Sequence, residues 1–348
     1  MEIQVPSLLR IKPKALFKLG KYLKQQGFNR IALFWGTGVK NMFWNTIQIS
    51  FESADIRVIS EIEVSSNNID DAFKTSKELP QNIDAIVVIG GGTVVDYGKF
   101  VAFNRQVPLF CVPTLISNDA FASPTSSLEV DGKRRSVKTQ VPQAIIIDTE
   151  VISATPKHFL FSGIGDLLCK TTAVFDYKLA YKKRGEEVND FAATIAKNAV
   201  DTFSYFTDKR FENFEYIGIL ASSLLMTGIA MIIAGSSRPA SGSEHLISHA
   251  YDRVAKKPTL HGIQVGVAAY AVSYLQEVTH ERLKNDIINS GFYDFVKANP
   301  LDREDFDKAI MLAPDIKEDY YTILSEKGNI RRLQEFTETD EMMKVMLI

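Results

Sequence analysis

Three of the five histidines lie in one stretch, Gly235 to His261. His245 and His249 are four residues apart, so on a helix capped by Ser241 or Ser243 both imidazoles leave one face, about one turn apart. His261 follows Lys256, Lys257 and Pro258, whose proline stops a helix, and precedes Gly262 and a new apolar run. It therefore sits at a helix start and can turn back toward the first pair. Neutral imidazole is the commonest protein ligand for zinc, and a catalytic zinc takes three protein ligands and keeps one position open. Asp166, in the run Phe161-Ser-Gly-Ile-Gly-Asp-Leu-Leu168, is an isolated carboxylate in an apolar context, costly to bury without a partner such as a metal ion. The spacing alone leaves alternatives open. Leu246, Ile247 and Ser248 between the histidines do not complete a zincin motif, so satisfied core histidines remain an alternative, as does a helix cap for Asp166.

A second constellation precedes it. The apolar run Asp84-Ala-Ile-Val-Val-Ile-Gly reads as a buried strand and leads directly into Gly90-Gly91-Gly92-Thr93-Val94-Val95-Asp96. A glycine-rich turn between a strand and a helix lets backbone N–H groups approach an anion, and the helix start adds its positive dipole end. A diphosphate fits there, although the spacing is not the usual Gly-x-Gly-x-x-Gly. The next strand, Pro108–Pro113, delivers a hydroxyl-rich loop from Thr114 to Ser123 that carries Asn118 and Asp119, at the strand end where open α/β sheets bind ligands. Asp119 is either a ligand-binding carboxylate or part of an Asx turn.

The elements around these sites alternate α and β up to a strand at Ala144–Asp148, the pattern of a parallel sheet with helices on both faces. The entry is an apolar run from Ile3 to Leu9. The Asp131-Gly132 pair marks a polar hairpin over Glu129–Lys138. From Thr149 onward long helical patterns take over: Lys157–Leu168, Lys170–Lys183, Asn189–Asp208, Phe214–Ala234, Gly242–Val254 and Gly262–Glu277. The domain boundary is accordingly placed near residue 150, giving a nucleotide-binding domain over 1–150 and an all-helical metal- and substrate-binding domain over 151–348. Residues 216–237 carry no charge and are long enough to span a bilayer. Their hydroxyls, their glycines and the lack of a second span favour a buried helix at the centre of the second domain.

Forty basic and forty-two acidic residues, with a net charge of −2, imply neither nucleic acid nor an anionic membrane as partner. The two cysteines, Cys111 and Cys169, and the absence of a signal-peptide pattern point to a reduced, cytoplasmic setting.

The triple-glycine turn with Asp96, the Thr114-to-Ser123 loop, Ser162-Gly-Ile-Gly-Asp166, the run Ala234-Gly-Ser-Ser-Arg-Pro-Ala-Ser-Gly-Ser-Glu-His245 and Leu260-His261-Gly262 together resemble the glycerol-1-phosphate dehydrogenases. These belong with the iron-containing alcohol dehydrogenases, glycerol dehydrogenases and dehydroquinate synthases. The resemblance implies a dehydroquinate synthase-like fold, an α/β Rossmann-like N-terminal domain followed by an all-α domain. It implies Asp166, His245 and His261 as zinc ligands, with iron an alternative, and His249 and Asp119 facing a small-molecule substrate. Gly90, Gly91, Gly92, Thr93, Val94, Val95, Asp96, Thr114, Ser117 and Ser123 would line NAD or NADP. The implied reaction is reduction of dihydroxyacetone phosphate to sn-glycerol 1-phosphate, a step of phospholipid biosynthesis. Asp166 and His249 would act in catalysis together with Asp119, and Arg238 would meet the substrate phosphate, since guanidinium binds phosphate in bidentate fashion. Glycerol dehydrogenase and a dehydroquinate synthase-like cyclase are the alternatives. The turn Trp35-Gly36-Thr37-Gly38 has no acidic residue to select NAD over NADP. Ile263-Gln264 replaces the Glu-x frequent after His-Gly. An exposed edge strand near the N-terminus suits a homo-oligomer.

Overall fold

The computed structural model describes residues 4–348. Ile3, where the apolar entry begins, lies outside them. The eight strands found among the described residues are β1 (Leu8–Lys12), β2 (Arg30–Gly36), β3 (Arg57–Val64), β4 (Ala85–Gly90), β5 (Leu109–Pro113), β6 (Thr125–Val130), β7 (Lys133–Lys138) and β8 (Ala144–Asp148). Six form one parallel sheet in the order β1-β8-β5-β4-β2-β3. β4, β5 and β8 are buried along their whole length, as continuous Val/Ile/Leu runs in a sheet covered on both faces must be. β6 and β7 form the antiparallel hairpin. Its turn residues Asp131 and Gly132 both have positive φ, 52° and 69°, which suits a right-twisted two-residue connection.

Two compact units partition the chain. The first holds the chain up to Ile116 together with Ala120–Thr155 and Arg210–Leu225; the second holds Ser117–Asp119, Pro156–Lys209 and Met226–Ile348. No single cut in the sequence reproduces that division. The helix Phe214–Ala234, whose one charge is Glu215, is long and apolar enough to cross a membrane; an 18-residue window of it has a mean hydropathy of 2.2 and is 61% buried. It is not simply the centre of the helical unit. Its first half, through Leu225, belongs to the first unit, where a Cβ on Gly218 would lie 4.0 Å from the side chains of Ile11 and Thr149.

In the second unit, three helices matter most: Lys157–Leu168, Ser243–Val254 and His261–Gln276. The first and third touch backbone to backbone. A Cβ on Gly262 would fall 1.8 Å from the Ser162 carbonyl oxygen, and one on Gly165 would fall 2.1 Å from the Gly262 carbonyl oxygen. These glycines flank His261 and Asp166, so the approach they permit carries both side chains toward one point.

Candidate metal and nucleotide sites

Asp166, His245 and His261 come together in the second unit, each offering a ligand atom, with all of these atoms within 4.8 Å of one another. Asp166 Oδ1 lies 4.0 Å from His245 Nε2. The His245 and His261 ring centroids are 5.0 Å apart, and His249 stands 6.3 Å from His245 and 5.9 Å from His261. Neither Ser241 nor Ser243 caps the histidine helix. Gly242 is its N-cap residue, and Ser243 instead donates its N–H and hydroxyl to buried Asp176, at 2.8 and 2.6 Å.

Hydrogen bonds decide which imidazole nitrogen faces the cluster. His245 Nδ1 is 2.9 Å from Glu244 Oε1, a carboxylate that only accepts, so Nδ1 carries the proton and Nε2 the lone pair. For His261 the chain is longer. Gln264 Nε2 donates to Asp252 and to the Thr259 carbonyl, at 2.9 and 2.8 Å, which leaves Oε1 to accept the Ser248 hydroxyl at 2.6 Å. The Ser248 oxygen then accepts from His261 Nδ1 at 3.1 Å, again leaving the lone pair on Nε2. Gln264, a departure in the sequence, thus has a definite task. Burial holds His245 well below its usual pKa, reinforced by the nearby Lys170 charge, so it is neutral and able to donate.

Two residues that the sequence reading passed over complete the cluster. Glu244 is fully buried and also accepts from the Thr172 hydroxyl and the Gly242 N–H, at 2.9 and 2.6 Å. Lys170 is buried with its ammonium 2.9 Å from Asp166 Oδ1 and 3.3 Å from Asp119 Oδ2. Asp119 in turn donates its N–H to Asp166 Oδ2 at 3.0 Å and accepts the Thr227 hydroxyl at 2.9 Å. Burial pushes the Asp166 carboxyl up to about 6, with the Lys170 ammonium opposing it. Lys170 is one helical turn from Asp166, a spacing legible in the sequence.

Arg238 is buried and already engaged. Its guanidinium pairs with Glu186, donates to the Tyr321 carbonyl at 2.7 Å and lies over the Tyr320 ring at 3.7 Å. These partners take two of its five N–H donors, and Tyr320 covers one face.

In the first unit, β4 and β5 are paired through Gly90 and Pro113, so the glycine turn and the loop beginning at Thr114 leave the same end of the sheet. Thr114 N–H donates to the Gly90 carbonyl at 3.0 Å. Gly90 has φ +152°, and a Cβ there would meet Val94 at 2.7 Å. Gly91 is the N-cap and Gly92 the first residue of a 14-residue helix that also carries Thr93, Val94, Val95 and Asp96. Thr93 is exposed, whereas Val94, Val95 and Asp96 are buried. Asp96 faces Lys99 at 3.0 Å, and Lys99, fully buried, donates to the Ala120 carbonyl at 2.7 Å, to the Ser123 hydroxyl at 3.1 Å and to the Thr125 carbonyl. Asp96 and Ser123 thus meet through one ammonium that ties the loop to the helix. Ser117 belongs with the second unit, its carbonyl accepting from Ser162 at 2.8 Å.

Residues 10–156 match the family model described as iron-containing alcohol dehydrogenase. Among curated relatives, glycerol-1-phosphate dehydrogenase (NAD(P)+) of Thermofilum pendens is 32% identical over 333 residues, 93% of this chain and 93% of its own length. The enzyme of that name from Methanosphaera stadtmanae is 36% identical over 281 residues, 80% of each chain. The chain belongs to the glycerol-1-phosphate dehydrogenase family. Its fold is shared with a glycerol dehydrogenase from Schizosaccharomyces pombe (TM-score 0.77, 19% identity, 97% of this chain and 91% of that one). A probable glycerol dehydrogenase from Sinorhizobium meliloti 1021 has it too (TM-score 0.76, 17% identity, 97% and 99%).

Proposed function

We propose that this protein is an NAD(P)-dependent, metal-dependent oxidoreductase that reduces dihydroxyacetone phosphate to sn-glycerol 1-phosphate. The observation that carries the reading is relatedness over nearly the full length to enzymes of that activity, as in the 93% coverage of the Thermofilum pendens relative. The first unit is assigned to the dinucleotide, at the turn Gly90–Asp96 and the loop through Thr114 and Ser123; the second is assigned to metal and substrate.

The donor set fits a divalent cation. One buried carboxylate and two imidazoles with matching Nε2 lone pairs converge within 4.8 Å, and a Cys-free N/O set of this kind suits zinc and iron alike. We assign zinc. When bound, such an ion polarises a ketone oxygen and opposes the negative charge that grows on it as hydride arrives. The chain's own groups do the rest. Lys170 holds Asp166 and Asp119 in fixed relation, and Asp119 is placed to accept from a substrate hydroxyl. His249 is half-buried and stacked on His261 beside the cluster. It is the group suited to deliver a proton to the new alkoxide, its ordinary pKa being nearest neutrality. A cytoplasmic homo-oligomer is the expected form.

The test is an NAD(P)H oxidation assay of zinc-loaded protein with dihydroxyacetone phosphate beside unphosphorylated dihydroxyacetone. A preference for the phosphorylated ketone that disappears in His245→Ala is expected. Equal or faster turnover of dihydroxyacetone would move the protein to glycerol dehydrogenase activity.

A further inference from the structure

With Arg238 engaged, the second unit still holds an unmatched cation near the histidine helix. Lys317 lies with its ammonium 4.4 Å from the centre of the Tyr320 ring, the ring that also carries the Arg238 guanidinium at 3.7 Å. Arg238 has Glu186 as counter-ion. Lys317, among the described residues, has no hydrogen-bond or ion-pair partner beyond that ring. Burial and the Arg238 charge hold its ammonium below the usual lysine range, with Glu244 opposing. Two cations on one aromatic ring repel each other, and an anion between them removes that cost.

The position of this pair is set by the chain around it. The Tyr320 hydroxyl donates to the Ser241 carbonyl, four residues before His245. Three residues after Tyr320, the Ile323 N–H donates to Asp176 Oδ1 at 2.9 Å, while Asp176 Oδ2 takes both donors of Ser243. The segment 317–323 is thereby pinned to the turn from which the His245 helix starts.

We propose that Lys317 is the residue that binds the phosphate of the substrate and so sets the preference for a phosphorylated ketone, with Arg238 and Tyr320 holding it in place. The assignment rests on the reduction of a triose phosphate proposed above. Ammonium supplies a compact point charge that suits a phosphate dianion without demanding bidentate geometry.

The experiment uses the metal-loaded enzyme, with inorganic phosphate as a second probe. Lys317→Gln should raise KM for dihydroxyacetone phosphate roughly 10- to 100-fold, as the loss of a charged hydrogen bond does, with a far smaller change in kcat. It should weaken competitive inhibition by inorganic phosphate in parallel, and Lys317→Arg should restore much of both. Metal content equal to wild type establishes that the variant is folded. Unchanged KM and unchanged phosphate inhibition in Lys317→Gln would overturn the proposal. So would a loss of phosphate inhibition in Lys157→Gln alone, since Lys157 lines a cavity of about 390 Å³ beside Leu260 in this unit. Failure of the underlying reading looks different: wild-type enzyme would then show no preference for the phosphorylated ketone. If inorganic phosphate still binds through Lys317 in that case, the anion site stands and only its substrate changes.

Discussion

Glu244 determines which nitrogen of His245 meets the cluster, because a buried carboxylate 2.9 Å from Nδ1 can only accept. Such partners of a metal-binding histidine fix its tautomer and orientation, and their loss typically costs 10–100-fold in metal affinity. Glu244→Gln is therefore expected to weaken zinc binding by roughly that factor in a chelator-competition titration. Affinity equal to wild type would refute the orienting role. Gln264 illustrates the same logic at longer range, acting on His261 through Ser248. Neither residue belongs to a recognisable ligand motif, yet each sits beside one in sequence, and that adjacency is the signal that could have found it.

Helix packing then decides whether correctly oriented ligands meet. The helices Lys157–Leu168 and His261–Gln276 come together at Gly165, Gly262 and Gly266, where added Cβ atoms would land 1.8–2.9 Å from facing backbone atoms. Backbone cannot rotate away as a flexible side chain can, so the helices themselves must separate. Gly262→Ala should lower unfolding stability by about 1–3 kcal/mol, the usual cost of overpacking. It should also reduce metal stoichiometry, since His261 is the adjacent residue. Denaturant unfolding of the metal-free protein, paired with metal analysis, separates the two effects. Retention of full stability and full metal content would show that the contact tolerates a methyl group. Each glycine is visible in the sequence, but a sequence does not say which two helices they bring together.

For the whole molecule, the parallel sheet gives acid unfolding a specific component. Asp84, just before β4, accepts from the Asn29 and Arg30 N–H groups and from the Arg30 guanidinium, which holds its carboxyl down at about 2. A carboxylate depressed in the folded state stabilises it above the ordinary value near 3.8, and the contribution disappears as the pH falls toward 2. The stability difference between wild type and Asp84→Asn should therefore be constant near neutrality and shrink as the pH falls below about 5. Half of the Arg30 side chain is exposed, so solvent screens the ion pair and its part of the difference should be small. A difference that stays flat from pH 7 to 3 would show that the charge on Asp84 does not matter. At this scale the sequence on its own determined the alternation into a buried parallel sheet, the change to helices after Thr149, the glycine turn after β4 and the identity of the histidine-rich stretch. Those features follow from local periodicity, turn chemistry and apolar runs, which are readable without a partner. Only the tertiary structure decided that Arg238 pairs with Glu186 while Lys317 shares the Tyr320 ring with it, that Lys170 joins Asp119 to Asp166, and that Glu61 and Glu63 of β3 reach the acid-free turn after β2. Each is a meeting of charges distant in sequence, and the energy of a charge depends on what surrounds it, which no local pattern records.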